Sequence, residues 1–281
     1  MRPRARCILL LLLSAACGDM QAPDIPVDTT FSDCASAEDL AGGVIQQSSE
    51  DRVGSSALLY ENTVYLLLGR AGCVWARSGG ILDPVHARRL TAAERLGLEQ
   101  RLDIATWASL GGLYEGNLFD GSPYLFWDGH TSQLTILCGA ACTGGSVPPA
   151  VVVLADTYRE ERIRFAKEEP AYAGHVRFTV VRDSEGVDRR DPLPWPLNDV
   201  RASNVALETT DPRVYQFGNG LLTSTPKQAA LLRWLRGQFI ARPDLSNGRT
   251  DIPVVERGVR YSVLVRDAVP IENSEGRVPF P

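Results

Sequence analysis

Residues 122–138, SPYLFWDGHTSQLTILC, decide the fold class. Asp128-Gly129 stands between two runs rich in aromatic and β-branched residues, and an Asp-Gly pair so flanked is the strongest short-range hairpin signal. Period-two alternation places Tyr124 and Phe126 on one face, opposite Leu134 and Ile136. The hairpin is flanked on both sides by helical patterns. That order predicts an α+β fold: antiparallel sheet(s) built from hairpins, with helices packed on one face.

The upstream helix is written in LTAAERLGLEQRL (90–102), where Thr91 and Glu94 form a capping box and Leu98 and Leu102 point inward. Before it, SALLYENTVYLLLG (56–69) reads as two β-prone runs around Glu61-Asn62, and GCVWARSGG (72–80) as a third. Downstream, SVPPAVVVLADTYREERI (146–163) opens on prolines suited to a first helical turn and spaces Val151, Leu154, Ala155 and Tyr158 as one stripe. Residues 50–165 therefore read as hairpin, helix, hairpin, helix.

Further on, GHVRFTVVRD (174–183) and GVRYSVLVRD (258–267) are similar strand-like segments, either paired neighbours or remnants of a duplication. Two copies are too few for a repeat architecture. Between them, TPKQAALLRWLRGQF (225–239) carries Thr225 as cap, Pro226 in the first turn and Gln228 completing a second capping box. Leu231, Trp234, Leu235 and Gln238 share a face that would pack on the sheet. The segment DSEGVDRRDPLPWPLND (183–199) is either a loop pinned by Trp195 or a mobile connection.

At the other end the chain begins MRPRARCILLLLLSAACGD. Arg2, Arg4 and Arg6 precede the apolar run Ile8–Leu13, which is about half of the roughly 20 residues a spanning helix needs. This is the pattern of an export signal. Ser14-Ala15-Ala16-Cys17 resembles the lipobox of bacterial lipoproteins, of the kind common in GC-rich Gram-negative bacteria, with Ser14 where leucine is usual. The resemblance implies cleavage before Cys17, acylation of its thiol and a membrane anchor. Several acyl chains at about 0.8 kcal/mol per buried methylene hold a protein on a bilayer permanently. Gly18, where an acidic residue retains enteric lipoproteins at the inner membrane, directs the expectation to the outer membrane. The alternative is an ordinary signal cleaved nearby.

On this reading residues 1–16 are the signal peptide, 17–33 a flexible spacer, 34–168 a first α+β unit and 169–281 a C-terminal α+β unit, either separate from the first or continuous with it. Cleavage removes three of 29 basic residues and none of 34 acidic ones, leaving 26 against 34, a net charge of −8. Net charge then draws the chain to neither nucleic acid nor anionic lipid. The four remaining cysteines form an even set in an oxidising compartment, and of three pairings Cys34–Cys73 with Cys138–Cys142 is favoured.

Two constellations hint at chemistry. Ser224-Thr225-Pro226-Lys227 resembles the S-x-x-K nucleophile motif of serine β-lactamases and penicillin-binding proteins, but no K-T-G element follows and the second capping box accounts for the same residues. Cys138 and Cys142, with His130 or His175, could hold copper or zinc and resemble the C-x-x-x-C of Sco-type copper-delivery proteins, although the βαβ context is missing. A small disulfide loop is the plainer alternative. The three histidines are scattered, Glu160-Glu161 and Glu168-Glu169 read as a solvated helix end, and no cofactor fingerprint occurs. The expected function is a membrane-tethered envelope lipoprotein with a binding or structural role and an envelope protein as possible partner. An envelope hydrolase using Ser224 and Lys227, or a metal or redox protein using Cys138 and Cys142, is the alternative.

Overall fold

The computed structural model describes residues 30–36, 39–46, 63–77, 79, 82–103, 106, 109–110, 112–115, 124–127, 133–137, 147–183, 188–207, 220–246 and 249–270. Cys17, His130, Cys138, Cys142, the Asp128-Gly129 turn and the β-prone run 56–60 lie outside them.

Seven strands form the first sheet: β1 (Leu40–Gln46), β2 (Thr63–Gly69), β3 (Cys73–Arg77), β4 (Val85–Arg89), β5 (Gly112–Glu115), β6 (Tyr124–Trp127) and β7 (Gln133–Leu137). Their order is β4-β3-β2-β1-β6-β7-β5, antiparallel throughout except for the parallel β5–β7 edge. The hairpin register pairs Tyr124 with Ile136 and Phe126 with Leu134, as the alternation predicts.

Alternation also sorts the faces of the sheet. Val44, Leu66, Leu68, Val74 and Ala76 point to one side, beneath helices α1 (Ala92–Leu102) and α2 (Pro149–Glu168). Leu98 and Leu102 meet them from α1, and Val151, Leu154, Tyr158 and Phe165 from α2. Phe126 packs edge-on against Tyr158 at 5.3 Å between ring centroids. Both helices start as their caps dictate: the Thr91 hydroxyl accepts from the Glu94 amide while Glu94 reaches back to the Thr91 amide, and Pro149 opens α2.

The central strand, β1, has Gly42 and Gly43 at its middle. A Cβ on Gly43 would lie 2.6 Å from the Leu66 carbonyl oxygen and 2.9 Å from the Leu67 Cα, so the backbones approach more closely there than any other residue permits.

The second sheet follows in sequence: β8 (Val176–Arg182), β9 (Leu193–Pro194), β10 (Ala206–Leu207), β11 (Leu221–Leu222), β12 (Ile252–Glu256) and β13 (Val259–Asp267). It is ordered β10-β8-β13-β12-β9, with β11 also on β8. The two similar segments of the sequence are neighbours, β8 and β13, paired antiparallel from Tyr261–Arg182 to Asp267–Val176. Arg257 and Gly258, both at positive φ (50° and 79°), turn β12 into β13.

Helix α4 (Pro226–Ile240) packs on this sheet through Ala229, Leu231, Leu232, Leu235 and Phe239, against Phe178, Val263 and Val265. The buried face of α4 is rotated from the predicted one: Trp234 is half-buried and Gln238 exposed, because the Leu232–Phe239 row takes the core side. The short helices α3 (Ala202–Val205) and α5 (Pro243–Ser246) flank it. The described part of the proline-rich segment, residues 188–199, is pinned by Trp195, whose indole N–H donates to the Val200 carbonyl at 2.7 Å and whose amide donates to the Val255 carbonyl at 3.0 Å.

The two sheets meet at a seam. Trp75, Val85 and Ala87 on the back of the first sheet pack with Tyr172, Val269 and Cys34. Tyr172 donates its amide to the Val85 carbonyl at 2.8 Å, and the Val85 amide donates to the Asp267 carboxylate at 3.1 Å. Asp267 is almost fully buried and also accepts from Arg233 at 2.7 Å and Arg236 at 2.9 Å, both on α4. Burial alone would raise its pKa; Arg236, Arg233, the Val85 amide and Arg77 together hold it down at about 2. A disulfide joins Cys34 and Cys73, with their Cα atoms 5.6 Å apart, as the favoured pairing predicts.

Candidate functional site

Leaving β4, the chain passes through Leu90 into the Thr91 cap, so the end of that strand and the start of α1 lie side by side. Against them lies the final turn of α2. Between the three is a groove of about 420 Å³, floored by Leu90, Ala93, Leu98 and Phe165 and rimmed by Arg88, Arg101, Arg164, Glu94 and Glu169. Gly97 forms part of its wall.

The charged rim is built from ion pairs. Arg88 donates to Glu94 at 3.0 Å and lies 2.8 Å from Glu169, bridging α1 to the end of α2. Glu94 is doubly occupied, because its other oxygen accepts from the Thr91 amide and hydroxyl, both at 2.8 Å. Those Thr91 bonds, and then Arg88, hold its pKa down at about 2. The other two rim arginines are joined through Glu161, which takes Nε of Arg101 at 2.7 Å and Nη2 of Arg164 at 2.5 Å. Burial pushes the Glu161 carboxyl up, and the hydrogen bonds from Arg101 and Arg164 outweigh it, so its pKa is lowered.

Of the four acidic residues read as a solvated helix end, Glu169 therefore belongs to this rim and Glu161 pairs with two of its arginines. Glu160 and Glu168 are exposed, whereas the side chains of Glu161 and Glu169 keep only 11% and 14% of their accessibility. No sequence motif marks the groove. Its one legible part was the Thr91–Glu94 cap, since the other members come together only when α1 docks on α2.

The catalytic candidates are placed differently. The Ser224 hydroxyl donates to the Gln228 carboxamide oxygen at 3.0 Å, and the Ser224 amide donates to the same oxygen at 2.8 Å. Thr225 accepts from the Gln228 amide, so the cap forms, but the returning side chain serves Ser224 instead of the Thr225 amide. Gln228 is turned this way because its carboxamide N–H also donates to Asp199 at 2.8 Å. Ser224 and Lys227 are both exposed.

His175 donates from Nδ1 to the Thr223 carbonyl and stacks near Phe31, while His86 donates to the Glu169 carbonyl. Each is a positioned structural residue. Among the described residues no group of three His, Cys, Asp or Glu side chains is placed to hold a metal ion, and no helix is long and apolar enough to cross a membrane.

Fold and site together define an α+β protein of two sheets with, among the described residues, a charged-rimmed, apolar-floored groove on the helical side of the first. No protein-family model, curated protein or solved structure matches the chain.

Proposed function

We propose that this chain is a lipid-tethered protein of the bacterial cell envelope, at the outer membrane, whose globular part works by binding and not by catalysis. The observation that carries the tether is the N-terminal pattern: three arginines, the short apolar run Ile8–Leu13 and Ser14-Ala15-Ala16 leading into Cys17. The Cys34–Cys73 disulfide supports an oxidising compartment. The binding role rests on the groove, whose mixture of apolar floor and convergent polar groups is that of a small-molecule site, and whose volume lies in the usual range of about 300–1,000 Å³. The employment of Ser224 by Gln228 and the exposure of Lys227 weigh against the hydrolase reading.

Intact mass of the membrane-extracted protein, before and after reduction, tests the tether. Acylation at Cys17 and loss of residues 1–16 are the expected result. A full-length chain with an unmodified Cys17 thiol overturns the proposal.

A further inference from the structure

We infer that the groove between β4, α1 and the last turn of α2 takes a small carboxylate carrying an aliphatic tail, an assignment that rests on reading this groove as the binding site. The hydrogen-bonding balance of its rim selects the charge. Both Glu94 oxygens are already engaged, one by Arg88 and the other by Thr91, and Glu169 holds Arg88 through Oε2, which leaves its Oε1 as the one carboxylate oxygen of the rim without a partner among the described residues. On the donor side Arg101 uses only Nε, toward Glu161, and Arg88 uses Nη1 and Nε. Among the described residues, both terminal nitrogens of Arg101 and Nη2 of Arg88 have no protein partner. With three spare guanidinium nitrogens against one spare carboxylate oxygen, the site favours an acceptor, and the paired Nη groups of one guanidinium match the two oxygens of a carboxylate.

The floor selects the tail. The side chains of Leu90 and Ala93, with the edges of the nearly buried Leu98 and Phe165 behind them, carry no polar atoms, so a ligand lying on them is hydrocarbon beyond its head group. Gly97 is the second, independent mark. A mid-helix glycine costs roughly 0.5–1 kcal/mol relative to alanine. Packing does not demand it here, because a Cβ would meet only Nη1 of Arg101, at 3.6 Å. What its missing side chain preserves is the space beside that guanidinium. A single negative charge suits the position, since a dianion would face Glu94 and Glu169 across the same groove.

The test titrates the full-length protein in lipid nanodiscs with carboxyl-¹³C hexanoate, followed by NMR, with hexanol and hexylamine as matched probes and empty nanodiscs as the partition control. Saturable hexanoate binding is expected, with neither hexanol nor hexylamine competing. Arg101→Gln, which keeps the stem and loses the charge, should weaken binding by roughly tenfold or more, and Gly97→Leu should abolish it. Circular dichroism checks both folds, and if Gly97→Leu does not fold, Arg101→Gln decides. Hexanol or hexylamine binding as well as hexanoate overturns the carboxylate assignment and leaves the groove a binding site. Hexanoate affinity unchanged in Arg101→Gln overturns the placement of the carboxylate here. No saturable binding of any probe overturns both the assignment and the groove's role.

Discussion

Gly43 and Asp267 each do something no other residue type could do in their place. At Gly43 the obstacle to a side chain is backbone, the Leu66 carbonyl and the Leu67 Cα, which cannot rotate aside. Gly43→Ala should therefore destabilise the fold by about 1–3 kcal/mol, read as a lower urea midpoint with an unchanged slope. Asp267 is a carboxylate whose folded pKa, about 2, lies below its ordinary value of 3.8. A depressed carboxyl contributes stability that is complete above the unfolded pKa and is lost as pH falls through the folded one. The contribution is about 2 kcal/mol near neutrality, disappearing between roughly pH 4 and pH 2. Asp267→Asn should flatten the stability profile across that window. It should also cost about 3–5 kcal/mol at pH 7, because the buried Arg236, with the half-buried Arg233 beside it, would be left without its counter-charge.

Elements reveal which signals survive the passage from sequence to structure. At the start of α4 the cap and the S-x-x-K motif share residues, and a pair of substitutions separates them. Thr225→Ala should lower stability by about 1 kcal/mol, as loss of an N-cap does. Ser224→Ala and Lys227→Ala should each stay within about 0.5 kcal/mol, being surface changes; thermal melts of the three variants give the comparison. Caps were legible because they are local, with Thr91 and Glu94 three residues apart, and the β6–β7 register was legible because alternation fixes it. β1 was not legible, since Gly42 and Gly43 replace the β-branched residues that announce a strand, although this strand joins β2 to β6. Pro253 hid β12 in the same way, by arguing against a strand that its pairing with β13 sustains. The groove was illegible for a different reason: Arg88, Arg101, Arg164 and Glu169 have no fixed spacing, and only the docking of α2 beside α1 assembles them.

Across the whole molecule, the first sheet and its helices lie in residues 40–168 and the second sheet in 176–267, tied by the seam around Tyr172, Val85 and Asp267. The Cys34–Cys73 bond closes a loop with a sequence separation of 39. Constraining the unfolded chain to that extent is worth about 4 kcal/mol. Replacing both cysteines with alanine should lower the unfolding free energy by about that amount, measured by denaturant titration of both forms under non-reducing conditions. The same bond decides how the molecule answers a pull. In the tethered arrangement proposed above, force enters through the segment before Thr30, reaches Phe31 and Ser32 at their contacts with His175 and Ala173, and arrives at Cys34. From there the sulfurs hand the load directly to β3. β1 and β2, lying between the two cysteines in sequence, are bypassed and carry no tension. Stretching can thus never release that segment, about 13 nm of extended chain, until a reductant cuts the crosslink.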